Sequence, residues 1–217
     1  MVLRSILVLT AILVAAGSAL AAPTADLYRL SGQYSGDGGE FRIAPNQDLM
    51  DITAEVGTYS SFAVVYDTTF VATTYEAEVS TATVAGDALD GYTAYLYTAF
   101  REGTLAGYSY VAGAPRVASA GALQDVIWFV EGEAAKTWTD GDNSLQDQFY
   151  TAAVNANWTD IGNVRVLNLY ELGHAGDANY AVKDQLTMIS PVPAPGAMLI
   201  ASLGTMIVGW LRSRKAI

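Results

Sequence analysis

The chain reads as a mainly β protein of the α+β class: a β-sandwich or open barrel that carries a helical insertion and is followed by one C-terminal transmembrane helix. Three observations predict this. Period-two alternation marks both ends of the middle region, helical stripes mark its centre, and an uncharged apolar run ending in three basic residues stands last. Strands, then helices, then strands suits a β-layer with inserted helices, because an alternating α/β fold would interleave them singly. The boundaries that follow are 1–21 for a signal peptide, 22–190 for one exported domain and 191–217 for the terminal membrane segment.

Residues 1–21 hold Arg4 as their only charge, then an apolar run from Ile6, then Ala19, Leu20 and Ala21 in the small-x-small form of a signal-peptidase site. Cleavage there would leave Ala22 or Pro23 at the new N-terminus. In the exported domain, Phe41, Arg42 and Ile43 alternate after a Gly-rich turn and stop before Pro45, which reads as a short strand. Residues 62–66 (FAVVY) and 71–79 (VATTYEAEV) read as two more, the second with Tyr75, Ala77 and Val79 on one face and Thr74, Glu76 and Glu78 on the other. Residues 164–172 and 182–189 are the strongest strand candidates. In the latter, alternation puts Val182, Leu186 and Met188 inward and Lys183, Gln185 and Thr187 outward.

The period changes between them. Tyr92, Tyr95, Leu96, Ala99 and Phe100 fall at helical spacing, with Asp90 as N-cap and Gly103 as stop. Leu123, Val126, Ile127 and Val130 form a second stripe. A third helix begins at Ser144, where Ser144 and Asp147 have capping-box spacing and Leu145, Phe149, Ala152 and Ala153 make the apolar face.

All 22 acidic residues lie in 22–190, against seven basic ones, so this domain carries a formal charge of −15. A surface of that sign repels phosphate, which excludes nucleic acid and anionic lipid as partners. The chain has no cysteine, so thiol nucleophiles, thiolate metal sites and disulfides are excluded and stability rests on burial. The 13 Tyr, 6 Phe and 4 Trp supply the large apolar area that such burial needs.

The terminal segment has three parts in fixed order. Val192, Pro193, Ala194, Pro195 and Gly196 form a stiff turn; Ala197 opens an apolar run through Leu211; Arg212, Arg214 and Lys215 close it with positive charge. Counted from Val192, the run reaches the ~20 residues of a bilayer span, and the positive-inside rule places the basic end on the cytoplasmic side. This arrangement resembles the tripartite C-terminal sorting signals called PEP-CTERM, with Ala194 where most of that family has Glu. The resemblance covers 192–217. It implies export through the general secretory route, an exosortase-type transpeptidase and the membrane as partners, and association with exopolysaccharide.

A weaker resemblance covers the exported domain. Residues 94–97, 100–103 and 122–128 (ALQDVIW) are similar to the exported domains of small PEP-CTERM proteins and, through them, to the thioester domains of bacterial surface adhesins. There a Gln-x-x-Ile-Trp segment joins its Gln to an upstream Cys. Gln124 matches that Gln as a vestige. The Cys position is implied within 62–66, where this chain has none.

Candidate chemistry is sparse. His174, the only histidine, sits in a glycine-flanked loop, and no Gly-x-Ser-x-Gly elbow accompanies it. Asp140, Asp142 and Asn143 form the densest oxygen-ligand cluster, and calcium is the cation such a loop would take, although the EF-hand order is not met and a loop entering a helix explains the same residues. Asp37, Gly38, Gly39 and Glu40 form a weaker cluster of that kind. Glu131 and Glu133 are the carboxylates nearest to a glycosidase pair, and Tyr108, Tyr110, Trp138 and Trp158 are the candidate sugar-stacking aromatics. The expectation is a non-enzymatic cell-surface or extracellular-matrix protein without a resident cofactor; the competing classes are a secreted polysaccharide hydrolase and a calcium- or sugar-binding adhesion module.

Overall fold

The computed structural model describes residues 22–189 apart from 37, 54 and 67–69. Residues 1–21, expected to be a signal peptide, and the whole segment 192–217 lie outside the described residues. Among the described residues no helix is long and apolar enough to cross a membrane.

The protein is α+β, and its main sheet is antiparallel and nearly a barrel. Strands β1 (Thr24–Tyr28), β4 (Phe41–Pro45), β5 (Tyr59–Ser61), β6 (Thr73–Ser80), β7 (Val164–Tyr170) and β8 (Gln185–Met188) run in the order β5-β4-β1-β6-β7-β8. A hairpin of β2 (Tyr34–Ser35) and β3 (Gly38–Gly39) stands apart, and the short helix α1 (Gln47–Ile52) follows β4. Helices α2 (Gly91–Arg101), α3 (Ala114–Val130) and α4 (Leu145–Ala156) are inserted between β6 and β7, which are themselves paired neighbours.

The two edge strands meet. Beyond β5, Val64 N–H donates to Asp184 O at 2.9 Å and Leu186 N–H to Phe62 O at 3.0 Å, with Ala63 opposite Gln185. An edge strand left open would present a row of unpaired amides, and this seam removes most of that row.

One side of the sheet wall encloses Ala25, Leu27, Phe41, Ile43, Tyr75, Ala77, Leu167 and Leu169; on the other side Val164, Val166 and Leu186 pack under the inserted helices. The helices begin and end as their chemistry dictates. The Asp90 carboxylate accepts Tyr92 N–H at 2.7 Å, Gly103 after α2 has φ +72°, and Ser144 Oγ accepts Asp147 N–H at 3.2 Å.

Three expectations are corrected. Residues 62–66 are not a regular strand: β5 lies just before them, and only Ala63 makes a bridge. β1, in the interior of the sheet order, was not expected, because its inward side carries only Ala25 and Leu27. Lys183, Gln185 and Thr187 are not outward to solvent but at most 1% exposed. They line the barrel side, opposite the helix-covered side where Leu186 packs, so both faces of this stretch are buried.

Candidate functional site

Helix α3 is where the inserted layer meets the barrel seam. It is buried along most of its length, and Gln124 and Trp128, one turn apart, face the segment that follows β5. At the seam, Phe62 O and Val64 N–H are spent on Leu186 and Asp184, so the N–H and C=O of Ala63 point the opposite way. Gln124 takes both: its Oε1 accepts Ala63 N–H at 3.1 Å and its Nε2 donates to Ala63 O at 2.7 Å. A side-chain amide thus pairs with one residue as a neighbouring strand would. Gln124 and Ala63 are both fully buried.

Three further contacts hold Tyr66. Its ring stands edge-on to Trp128 with centroids 4.7 Å apart, its N–H donates to Glu133 Oε2 at 3.1 Å, and its carbonyl accepts from Lys183 Nζ at 2.9 Å. Lys183 Nζ also lies 5.3 Å from the centroid of the Trp128 ring, so the buried ammonium rests against an aromatic face. Gly38 of the hairpin lies so close that a Cβ there would stand 2.6 Å from Gln124 Cγ and 2.7 Å from the Trp128 ring. Gln185 Oε1 and Trp128 Nε1 are buried with no protein partner. The chemistry at this junction is that of a neutral amide clamp. The contact residue is Ala63, within the segment where the thioester resemblance implies a Cys, and hydrogen bonds alone join the pair.

The remaining candidates are separated. Asp140 pairs with Lys136; the Asp142 carboxylate accepts from Ser144 N–H at 2.8 Å and Thr139 N–H at 3.1 Å; Asn143 has φ +58° in the turn before α4. The Ser144 hydroxyl, and after it those N–H groups, hold the Asp142 carboxyl below the usual carboxylate range. Asp147 does not complete a reciprocal capping box. Its carboxylate accepts from Gly141 N–H at 3.0 Å and Asn143 N–H at 3.3 Å, which folds the loop onto the start of α4. Among the described residues no group of three or more His, Cys, Asp or Glu side chains is placed to hold a metal ion.

In the weaker cluster, Asp37 lies outside the described residues and Glu40 is 1% exposed. The Glu40 carboxylate accepts from Arg116 Nε at 2.6 Å and Nη2 at 2.8 Å, from Tyr108 OH at 2.6 Å and from Ser60 Oγ at 2.8 Å. This satisfied ion pair spans 76 positions of sequence, and no local pattern announces it. Tyr108, expected as an exposed aromatic, is one of its buried donors.

Glu131 and Glu133 fasten loops. Glu131 accepts Asp90 N–H at 3.2 Å, and burial pushes its carboxyl up to about 7 against that hydrogen bond. Asp184, also raised by burial, to about 6, accepts Val84 N–H at 2.9 Å. Glu131 and Glu133 line neither of two surface clefts: one of about 370 Å³ has Glu171 as its single acidic lining residue, and one of about 360 Å³ has Glu102. The His174 ring stacks on Tyr180 with centroids 3.5 Å apart, and the N–H groups of His174 and Ala175 donate to Glu76 at 2.9 and 2.8 Å.

No family model, curated protein or solved structure matches the chain.

Proposed function

We propose that the chain is a non-enzymatic exported cell-surface or extracellular-matrix protein, delivered by residues 1–21 and sorted, then anchored or processed, through 191–217. The observation that carries this reading is the order of turn, apolar run and basic end at Val192 to Lys215, placed directly after a domain whose last strand, β8, ends at Met188. In this reading the nearly closed sheet is an open barrel with α2, α3 and α4 as its insertion, and a single membrane helix follows. An exosortase-type transpeptidase reads the turn, and exopolysaccharide is the medium in which the released or anchored domain resides. Two features of the domain support a structural role. The buried carboxylates Glu40 and Glu55 are consumed by Arg116 and Arg101, and the Gln124 amide is spent on Ala63.

The test separates sorting from mere anchoring. Changing Pro193 and Pro195 to Ala leaves the apolar run intact, so the segment still inserts, but processing stops. Removing Arg212, Arg214 and Lys215 disturbs orientation instead. The size and location of the three proteins are compared in the native host. A proline variant processed and localised like the parent refutes the sorting reading and leaves a plain tail anchor.

A further inference from the structure

Beyond Tyr170 the sheet opens into a cleft of about 370 Å³ between the start of β6 and the turn that leaves β7. The register dictates what faces it. Ala77 N–H donates to Pro23 O at 2.8 Å, so Thr73, Tyr75 and Ala77 turn their N–H and C=O groups to β1, while Thr74 and Glu76 turn theirs to the other side. Glu76 finds Tyr170 there, the last pair of the β6–β7 ladder. One step further the chain after β7 has swung away: Glu171 N–H donates to Tyr180 O at 3.0 Å and His174 N–H to Glu171 O at 3.1 Å, which closes a turn. Thr74 is left as an open sheet edge, its main-chain N–H and C=O directed into the cleft with no strand among the described residues beside them.

The walls are accessible. Val71, ahead of β6, is 64% exposed and Leu172, past β7, is 57% exposed, and the half-buried Val182 extends the apolar lining. Tyr75 OH donates to Val71 O at 2.7 Å, which fixes the bend that carries Val71. Glu171 is exposed, and its carboxylate belongs to none of the ion pairs among the described residues.

These features select one kind of occupant. An open main-chain donor and acceptor are the complement of an extended backbone, and apolar contacts to alternate side chains are what give strand addition its specificity. An unpaired carboxylate in a domain with a formal charge of −15 favours a cationic neighbour and repels an acidic one. A small amine would meet Glu171 but leave the Thr74 edge and the apolar walls uncovered. A sugar ring would find no aromatic face, because Tyr75 is 4% exposed.

We propose that this cleft is a strand-addition site for an extended segment of a partner protein, with its backbone on Thr74, an apolar side chain between Val71 and Leu172 and a Lys or Arg beside Glu171. This goes beyond the sorting reading and does not depend on it. Met188 pairs with Val164 at the opposite end of β7, a strand about 20 Å long, so a segment in the cleft leaves the route toward 191–217 clear. Two main-chain hydrogen bonds, one exposed ion pair and a small apolar contact give weak, salt-sensitive binding.

The probe is a fluorescein-labelled, C-terminally amidated hexapeptide of alternating valine and lysine, titrated by anisotropy against the full chain in phosphatidylcholine nanodiscs, with empty nanodiscs as the blank. Saturable binding to one site is expected. Replacing its lysines by glutamates weakens binding at least about tenfold, and N-methylating all its amides at least about fivefold. Glu171→Gln loses about twofold to fivefold, the margin of an exposed ion pair, and Leu172→Asn about fivefold. Thr74→Pro removes the cleft-facing N–H without touching the β1 ladder and abolishes saturable binding. Its melting curve is recorded, and if it does not fold, the two variants at exposed positions carry the test. A probe that does not saturate overturns the site. Unchanged affinity in Leu172→Asn overturns the cleft as its place, and in Glu171→Gln the ion pair. Equal binding of the N-methylated peptide overturns strand addition, and equal binding of the glutamate peptide overturns the basic partner. A chain that is dimeric by light scattering and monomeric as Thr74→Pro makes a second copy the occupant and refutes the partner segment.

Discussion

Replacing Gln124 tests whether the side-chain amide closes the seam. In Gln124→Ala the N–H and C=O of Ala63 lose their partner at a position with 0% exposure. Each unsatisfied buried backbone group costs about 1–3 kcal/mol, and the vacated space adds a packing loss, so a destabilisation of about 4 kcal/mol is expected. Gln124→Met separates the two effects, since it keeps most of the volume and removes both hydrogen bonds; it should lose at least about 2 kcal/mol. Gln124→Glu keeps the acceptor for Ala63 N–H but sets a second oxygen against Ala63 O, so it should be the worst variant at neutral pH and recover on acidification, when the carboxyl can donate. The assay is urea unfolding followed by tryptophan fluorescence. For an m-value of about 2 kcal/mol per M, the alanine variant's midpoint falls by about 2 M. A methionine variant as stable as the parent would refute the clamp and leave Gln124 as a space-filling residue.

Two other outcomes follow from the same junction and from the end of α3. Gly38→Ala should cost about 1–3 kcal/mol by overpacking, because the new Cβ meets the fixed Gln124 Cγ and the rigid Trp128 ring, and in a Gln124→Ala background the cost should shrink measurably in urea unfolding. Glu131 holds its proton more tightly folded, with a carboxyl at about 7 against an ordinary 4.5. The stability this contributes is fully present below about pH 4.5 and is lost as pH rises through about 7. Glu131→Gln, which cannot ionise, should therefore match the parent near pH 4 and exceed it by about 2–3 kcal/mol at pH 8, and thermal melts across that range that stay parallel would sink the assignment.

The helices were legible because their signals are local. Asp90 and Ser144 stand three residues or fewer from the N–H groups that they cap, and the stripes repeat within one or two turns. β6 was legible for the same reason: Tyr75 and Ala77 face the core while the alternate residues face out. The stretch at β8 defeated the period-two rule because that rule assumes one wet face. Here the helices cover one face and the barrel encloses the other, so Lys183, Gln185 and Thr187 are buried in spite of their polarity. Gln124 stood out through its motif, but Gly38 and Ala63 did not, since their importance lies in what folds against them. Arg42 looked like the solvent-facing residue of a short strand. That α2 ends above it is a fact of tertiary structure, not of spacing.

The placement of the helical insertion has a physical rationale in the seam itself. β5 has three residues and β8 four, and two backbone hydrogen bonds near Ala63 join the stretches that continue them. So short a pairing is weak alone. Side chains supply the rest. Ser61 Oγ donates to Leu186 O at 2.6 Å, and Tyr59 OH donates to Thr187 Oγ1 at 3.0 Å. Tyr97 of α2 shares its hydroxyl proton between Ser60 O at 3.1 Å and Leu186 O at 3.2 Å, and that hydroxyl accepts from Arg101 Nη1 at 3.0 Å. Gln124 of α3 reaches Ala63 at the same seam from a second inserted helix. Helix α2 therefore bridges edge strands separated by 125 positions of sequence, at Ser61 and Leu186, while α3 fastens the Ala63 side, and the sheet and its insertion form one cooperative unit rather than a barrel with a detachable ornament.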